Sequence, residues 1–326
     1  MPNKDDIILE VKDLTVAFQT ETGLQRAVDG VSFQLKKGST LGIVGESGCG
    51  KSVTALSIMR LLPKPAGQYL KGQIIFRETD ILKLEPEKLH KIRGNRISMI
   101  FQEPMTALNP VHTIGKQLAE VYELHHPGMD KNDILRSSVE VLDKVGIPNP
   151  ENKLTEYSHQ ISGGMRQRVM IAMALVTKPD ILIADEPTTA LDVTIQAQIL
   201  SLISELQKET DMSVIFITHD LGVIAETCED VMVMYAGKTA ETAPVADIFN
   251  GARHPYTKGL LASIPRLETK PKSRLKIIKG VVPGLDEMPR GCRFGNRCPH
   301  VMEICESEPP PVKEVDMNHF VSCYLY

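Results

Sequence analysis

The stretch GESGCGKS, from Gly45 to Ser52, combines glycines, a lysine and a serine at the spacing of a phosphate-binding loop. The apolar run LGIVG leads into it, and a segment with helical periodicity follows it. Glycines let successive backbone N–H groups curl around a phosphate chain, and the next helix adds roughly half a positive charge at its N-terminus. Lys51 would reach the terminal phosphates and the Ser52 hydroxyl would bind Mg²⁺. The flanking strand and helix disfavour the alternative, a glycine-rich turn without a ligand.

A second motif, DILIADEP at residues 180–187, supplies the acidic groups that nucleotide hydrolysis needs. Apolar residues lead to Asp185 at a strand end, where its carboxylate can hold Mg²⁺ through water. Glu186 can orient a water molecule and deprotonate it for attack on the γ-phosphate. A solvated acidic pair after a strand is a common alternative, but a phosphate-binding loop upstream favours the hydrolytic interpretation. These two motifs leave kinases, GTPases, helicases and transport ATPases open.

The stretch ISGGMRQRVMIAMAL, residues 161–175, discriminates between these classes. Ser162, Gly163 and Gly164 open a helix, so their N–H groups and hydroxyl could form a second anion site, although ordinary helix-start chemistry is an alternative. The stretch resembles the signature of ATP-binding cassette (ABC) ATPases. That resemblance implies two chains that meet head to tail, with Ser162, Gly163, Gly164 and Gln167 of each chain contacting the ATP of the other.

Further pieces match the ABC pattern in order, and the resemblance implies a role for each. Phe18 would stack on adenine, although a strand-core role is an alternative. Gln102 would contact Mg²⁺ and the attacking water. Asp192, in TALD (189–192), would lie in a loop that crosses the dimer interface, and His219 would contact the γ-phosphate. The ATP-contacting residues implied in the phosphate loop are Gly45, Glu46, Ser47, Gly48, Cys49, Gly50, Lys51 and Ser52, with Asp185 from the second motif.

The elements that must position these residues alternate between strand and helix from about residue 7 to 250, which indicates a mostly parallel sheet covered by helices. A mainly helical stretch, 103–160, is predicted to be an insertion. The resemblance implies an α/β P-loop NTPase with a RecA-like core, an antiparallel β subdomain and this helical insertion. We therefore predict an ABC nucleotide-binding domain at 1–250 and a small cysteine-rich C-terminal extension at 251–326.

Several phrases resemble the ATPase subunits of dipeptide, oligopeptide and nickel importers, among them EPTTALDVTIQAQIL and RHPYTKGLLASIPRL. That resemblance implies a subunit that powers a pair of integral membrane permeases fed by an extracytoplasmic binding protein. It also implies a second, related ATPase subunit, so that the ATPase pair would be a heterodimer. Peptide is the expected substrate, with nickel, glutathione and oligosaccharide as alternatives, because specificity resides in the other chains.

The composition indicates where the protein acts and which other functions are less favoured. The formal net charge of −4 gives no reason to expect a nucleic-acid partner. No apolar run approaches the roughly 18 residues of a membrane span, and the acidic start MPNKDDIILEVKD does not resemble a signal peptide. We expect a peripheral protein at the cytoplasmic face of the cell (inner) membrane. An ABC ATPase without a transporter, a small-molecule kinase and an ABC exporter half are less favoured alternatives.

The C-terminal extension carries four of the 6 cysteines, at Cys292, Cys298, Cys305 and Cys323. A reducing cytosol argues against disulfides. The proline-rich segment has too little apolar material for a core of its own, so we expect it to need another internal cross-link. Zinc sites usually contain closer cysteine pairs, whereas four thiolates and the Cys298-Pro299 step suit an iron–sulfur cluster. The family resemblance adds weight to a 4Fe–4S cluster. Zinc and unligated thiols are the alternatives. We expect that His300 and His319 do not bind the metal. We also expect Cys49 and Cys228 to be thiols that bind no metal.

Overall fold

The computed structural model describes residues 6–102, 107–188, 192–264 and 277–326. The chain forms two compact units. The first unit contains the chain up to Lys83 together with the chain from Phe216 onward, and the second unit is Leu84–Ile215. The described strands are β1 (Ile7–Thr20), β2 (Gly23–Lys36), β3 (Thr40–Val44), β4 (Gly67–Phe76), β5 (Thr79–Asp80), β6 (Ile97–Ile100), β7 (Ile181–Asp185), β8 (Ser213–Thr218), β9 (Asp230–Tyr235), β10 (Lys238–Pro244), β11 (Val312–Asp316) and β12 (His319–Ser322).

Helices connect these strands and flank the functional motifs. They are α1 (Lys51–Ile58), α2 (Pro86–His90), α3 (Ile114–His125), α4 (Lys131–Lys144), α5 (Pro150–Lys153), α6 (Gly163–Leu175), α7 (Val193–Thr210), α8 (Leu221–Thr227), α9 (Val245–Gly251), α10 (Pro255–Ser263) and α11 (Glu303–Ser307). Among the described residues, no helix is both long enough and apolar enough to cross a membrane.

An antiparallel sheet with the strand order β2-β1-β4-β5 forms one part of the first unit. Apolar side chains from β1, such as Leu9, Leu14 and Val16, are fully buried, which fixes the register of this strand. Near the end of β1, Phe18 lies opposite Gln25 of β2 and Gly67 of β4. The sheet therefore holds Phe18 between two neighbouring strands.

A second sheet of the first unit contains the strands β11-β12-β10-β9-β3 in this order. β3 and β9 run parallel, with Leu41 opposite Asp230, and every residue of β3 is buried. A continuous apolar run of this kind is typical of a parallel strand that is covered on both faces. β10 pairs antiparallel with β9 and with β12, so the C-terminal β11–β12 hairpin extends this sheet. The phosphate-binding loop begins directly after the last residue of β3.

The second unit contains the parallel pair β6 and β7, in which Ile97 lies opposite Ile181. Both strands are fully buried. α6 packs against β6, while α3 and α4 pack against each other and against α6. Because β6 and β7 are parallel, their carboxyl ends lie at the same edge, where Gln102 and Glu186 follow them.

The α/β elements agree with the sequence-based expectation. α1 ends at Ile58, and Arg60 shortly after it adopts a φ of 50°. The N-cap of α4 is Asp130, in an extended conformation. The domain boundary at residue 250 stays a prediction.

Candidate functional site

The phosphate-binding loop lies between β3 and α1 of the first unit, and close packing explains two of its glycines. A Cβ atom at Gly45 would collide with the carbonyl oxygen of Met234. Gly50 has a φ of 101°, and a Cβ atom there would lie 2.8 Å from the carbonyl oxygen of Ala27. Residues with side chains are excluded from both positions, so the backbone of the loop can come close to its neighbours.

Lys51 places a buried positive charge inside this loop. Its side chain is 5% exposed, and its Nζ donates to the carbonyl oxygens of Gly45 (2.7 Å) and Glu46 (3.2 Å). Among the residues that the structure describes, no carboxylate forms an ion pair with Lys51. A buried ammonium group without a counter-ion is costly. The loop therefore fits the phosphate groups of a nucleotide.

The rest of the loop is supported by the turn that follows β9. Gly237 donates its N–H to the carbonyl oxygen of Cys49 at 2.9 Å. Burial raises the pKa of the Cys49 thiol, so this cysteine is a neutral packing group within the loop. Gly48 has a φ of 79° and open space around it, while Ser52 follows Lys51 in the first turn of α1. The predicted phosphate-contacting residues thus form one continuous loop.

Two further predicted residues lie in the same unit. Phe18 is half-buried near the end of β1, with its ring beside Gly67. A partly exposed aromatic ring of this kind can stack on a base. His219 is exposed immediately after β8, where Asp220 caps α8 by accepting the N–H of Gly222 at 2.7 Å. The structure therefore positions Phe18 and His219 at strand ends.

The second unit carries the acidic motif. Asp185 is the last residue of β7 and is buried, at 3% exposure. Glu186 follows with a φ of 46°, a left-handed conformation that is uncommon for residues other than glycine. The Gln102 Nε2 donates to the Glu186 Oε2 at 3.1 Å, so the structure brings these two predicted catalytic residues together. The exposed Gln102 amide and the half-buried Glu186 carboxylate, which are in contact, can both bind one water molecule.

The signature stretch begins α6 in the same unit. Ser162 is the N-cap of α6, and its Oγ accepts the N–H of Met165 at 3.3 Å. Gly163 is exposed, and a Cβ atom there would have no neighbour within 4 Å. Gln167 is 2% exposed and donates to the carbonyl oxygen of Pro187 at 2.6 Å. This bond fixes the chain directly after Glu186. The contact of Gln167 with a partner's ATP stays a prediction.

Asp192 is the N-cap of α7, and its side chain accepts the N–H of Ile195 at 3.0 Å. The three other residues of the predicted interface loop, 189–191, lie outside the described residues. A carboxylate at a helix N-terminus is a common structural cap, so this bond accounts for the residue type without a partner chain. Its interface role stays a prediction.

Sequence reasoning missed two residues that contact the phosphate loop. The Tyr256 hydroxyl accepts the N–H of Glu46 at 2.9 Å, and the Arg297 guanidinium donates to both oxygens of the Glu46 carboxylate at 3.1 Å. These residues stand 210 and 251 positions after Glu46 in the chain. Both residues lie in the segment 251–326, which is predicted to be the C-terminal extension. No local sequence pattern links that segment to the phosphate loop.

The prediction of a 4Fe–4S cluster is wrong. Cys292, Cys298, Cys305 and Cys323 are free thiols that line one cavity of about 10 Å³, which is about the size of one water molecule. Among the described residues, no group of three or more His, Cys, Asp or Glu side chains is placed to hold a metal ion. The zinc alternative is therefore unsupported as well.

The size of the cavity supplies the physical reason for this correction. The four cysteines surround space for about one water molecule, whereas a 4Fe–4S cluster contains eight atoms. The bacterial relatives described next are named as ATP-binding proteins, and their names mention no cluster.

Comparisons with known proteins agree with the geometry of the loop. The family model described as "ABC transporter" matches residues 28–189, and the model described as "Oligopeptide/dipeptide transporter, C-terminal region" matches residues 240–305. The oligopeptide transport ATP-binding protein OppD of Bacillus subtilis is 50% identical over 98% of this chain and 88% of that protein. The dipeptide transport ATP-binding protein DppD of the same organism is 53% identical over 98% of this chain and 94% of that protein.

A relative from Sinorhizobium fredii, named as a probable peptide ABC transporter ATP-binding protein, is 51% identical over 98% of this chain and 96% of its own length. Among solved structures, the dimeric post-hydrolysis state of the ATP-binding cassette MJ0796 with ADP and Pi matches with a TM-score of 0.66 and 26% identity. The match covers 73% of this chain and 98% of that chain, and it confirms the predicted P-loop fold. The chain belongs to the ABC transporter family, as an ATP-hydrolysing subunit with the C-terminal region of the oligopeptide and dipeptide transporters.

Proposed function

We propose that this chain hydrolyses ATP to power the import of peptides through a membrane transporter. The observation that carries the proposal is the buried Lys51 ammonium, which lies in a glycine-rich loop and has no ion-pair partner among the described residues. The high identity to oligopeptide and dipeptide transport ATP-binding proteins supports the peptide substrate. The alternative is that a transporter of the same family imports nickel, glutathione or an oligosaccharide.

The residues of the loop bind the nucleotide. Lys51 would neutralise the terminal phosphates, backbone N–H groups of the loop would bind the phosphate chain, and Phe18 would stack on adenine. The family resemblance implies that Ser52 and Gln102 would hold Mg²⁺, with Asp185 binding it through water, and that the metal would offset phosphate charge.

The hydrolytic step belongs to Glu186. Its carboxylate accepts a proton from the attacking water, and Gln102, which donates to the Glu186 carboxylate, orients that water. His219 contacts the γ-phosphate and positions it. The Glu186 carboxylate is only half-buried, so it can exchange its proton with solvent between turnovers and the base is regenerated without a further group.

ABC importer ATPases form dimers and act with membrane permease subunits, and the dimeric cassette that resembles this chain agrees with that arrangement. We further propose that the partner ATPase is a second, related chain, so that the pair is a heterodimer. Two integral permeases and, indirectly, an extracytoplasmic binding protein complete the assembly. The chain would then be a peripheral protein at the cytoplasmic face of the inner membrane.

Within each nucleotide site of the dimer, Ser162, Gly163, Gly164, Gln167 and Asp192 of one chain would contact the ATP bound by the other. Closure of the dimer on ATP would move the helical stretch after Gln102, and this movement would drive the permeases.

The substitution Glu186→Gln tests the catalytic proposal. The amide keeps the shape of the side chain but cannot accept the proton, so we expect ATP turnover to fall at least about 100-fold. Binding of a fluorescent ATP analogue should remain within about threefold of the parent chain, because Glu186 does not hold the phosphates. Phosphate release and fluorescence titration measure the two quantities. Normal turnover in this variant would overturn the assignment of Glu186.

Uptake of radiolabelled dipeptides and tripeptides into membrane vesicles that contain the whole transporter tests the substrate. We expect ATP-dependent uptake that stops in the Glu186→Gln variant. Uptake of nickel or glutathione without peptide uptake would instead support the alternative substrates.

A further inference from the structure

The residue Glu46 of the phosphate loop is held by two side chains from the C-terminal part of the chain. Its backbone N–H donates to the Tyr256 hydroxyl at 2.9 Å. Its carboxylate accepts from the Arg297 guanidinium, with both oxygens 3.1 Å from Nη1. Main chain and side chain of one loop residue are thus fixed together, and all three residues belong to the first unit.

Arg297 is itself locked in place. Its side chain is only 4% exposed, its Nε donates to the carbonyl oxygen of Lys279 at 2.9 Å, and its Nη2 donates to that of Ile278 at 3.3 Å. The guanidinium also lies over the rings of Tyr235 and Phe294, at 5.7 and 6.0 Å from the ring centroids. An arginine with this many fixed partners loses little entropy when it binds one more carboxylate.

Tyr256 is equally fixed. It is fully buried, and its ring packs edge-to-face against Tyr235 at a centroid distance of 4.7 Å. Burial raises the pKa of the Tyr256 hydroxyl, so the phenol stays protonated and neutral at any physiological pH. The backbone of Tyr256 is held in turn by His254, whose Nδ1 accepts the Tyr256 N–H at 3.0 Å.

A carboxylate in a phosphate-binding loop needs this support. Nucleotide phosphates and the Glu46 carboxylate carry like charges, and like charges within a partly buried site repel each other by several times the thermal energy. The Arg297 guanidinium offsets the carboxylate, and its fixed position also keeps the Glu46 side chain directed toward the C-terminal region.

We propose that Arg297 and Tyr256 are positioning residues for ATP binding: Arg297 neutralises Glu46 of the phosphate loop, and Tyr256 fixes its backbone. This inference deepens the proposed function and rests on it. The C-terminal region thereby contributes to nucleotide affinity without touching the nucleotide, in addition to any role in assembly of the transporter.

Fluorescence titration of the full chain with a mant-labelled ATP tests the role of Arg297. We expect Arg297→Ala to raise the Kd about 10-fold, because the Glu46 charge is then uncompensated. Adding Glu46→Gln to this variant should restore the Kd to within about threefold of the parent chain, since the repulsive charge is gone. Arg253→Ala is the matched control, because the Arg253 guanidinium pairs with Asp316 in the same C-terminal region rather than with a carboxylate of the phosphate loop.

The outcomes separate the possibilities. A parent-like Kd in Arg297→Ala overturns the inference. Equal weakening in the single and double variants also overturns it, because the effect would then come from lost packing rather than from charge. If the parent chain binds no mant-ATP, the proposed function itself fails, and the inference falls with it.

Tyr256→Phe provides a second test that does not depend on the fold of the arginine variant. It removes only the hydroxyl that accepts the Glu46 N–H, and the ring remains in place. We expect the KM for ATP to rise about three- to fivefold while kcat stays unchanged, since the loop loses order before the nucleotide binds. An unchanged KM, or a loss confined to kcat, would contradict a positioning role for Tyr256.

Discussion

His254 shows how a single buried side chain can link stability to pH. The residue is 3% exposed, and its Nδ1 accepts the backbone N–H of Tyr256 at the start of α10. Burial lowers the pKa of His254 to about 4, well below the ordinary value of 6.5. Protonation would place an N–H at an atom that must accept one, so only the neutral ring fits.

We therefore expect acid to destabilise the folded chain through His254. Because the pKa of the folded state lies below that of the unfolded state, the contribution is present above pH 6.5 and is lost as the pH falls toward 4. Between pH 8 and pH 5 the free energy of unfolding should fall by about 2 kcal/mol through this group. Urea unfolding at both pH values measures it.

His254→Asn is the matched variant, since asparagine keeps an acceptor at the helix N-cap but does not titrate. Between pH 8 and pH 5, the free energy of unfolding of this variant should fall by about 2 kcal/mol less than that of the parent chain. An identical pH dependence in both chains would show that His254 is not the group responsible.

Residue types alone were enough to predict the phosphate loop, the acidic motif and the signature serine, because each motif has a fixed spacing along the chain. The cysteines were a different case. Thiol spacing could not reveal that the shared cavity holds only about 10 Å³. The size of a cavity depends on chain segments that are distant in sequence.

At the scale of elements, the C-terminal hairpin depends on one buried carboxylate. β12 pairs with β10 at Glu241 and Thr242. Glu241 is fully buried and accepts from the N–H groups of Arg253 and His254 and from the His319 Nε2, at 2.6, 3.0 and 2.7 Å. One side chain therefore joins β10, β12 and the segment that leads into α10.

Replacing Glu241 with alanine should release this hairpin. Two buried donors and one partly buried donor would lose their acceptor, and we expect the free energy of unfolding to fall by about 3 kcal/mol. Hydrogen exchange should accelerate in Val312–Asp316 and His319–Ser322 before it does so in β3. Glu308→Ala, at an exposed position in the same region, should leave exchange unchanged. Slow exchange of the hairpin in the Glu241 variant would argue that strand pairing alone holds it.

The elements around the site were predictable where the apolar pattern was strong. β3 and β7 read as continuous apolar runs, and both are buried throughout. The end of α1 was not predictable from pattern, because Arg60 takes a left-handed conformation that its residue type does not indicate. The link between Glu46 and Arg297 was hidden for a similar reason, since it is a tertiary contact over 251 residues.

At the scale of the whole molecule, the proposed head-to-tail dimer makes the exposed start of α6 essential for hydrolysis. A Cβ atom at Gly163 would meet nothing within 4 Å, so Gly163→Asp leaves the fold of the chain intact. In the assembled transporter the new carboxylate would face the ATP of the partner. We expect ATP hydrolysis to fall at least about 100-fold while mant-ATP binding to the single chain stays normal.

Gly251→Asp is the control for this change. It also adds a carboxylate at a position with no neighbour within 4 Å, at the end of α9, far in sequence from the signature. This variant should hydrolyse ATP normally within the transporter. Full activity in Gly163→Asp would speak against a role of the signature in a partner's nucleotide site.

The distance along the chain between Glu46 and Arg297 also bears on synthesis. The ribosome releases the phosphate loop 251 residues before it releases the arginine. At about 5–20 residues per second, this interval lasts on the order of ten seconds or more. During that time the Glu46 carboxylate lacks Arg297, and the Glu46 N–H lacks the Tyr256 phenol for the first 210 of these residues. With the proposed role of Arg297, the newly made chain would acquire its full affinity for ATP only after nearly all of it has been translated.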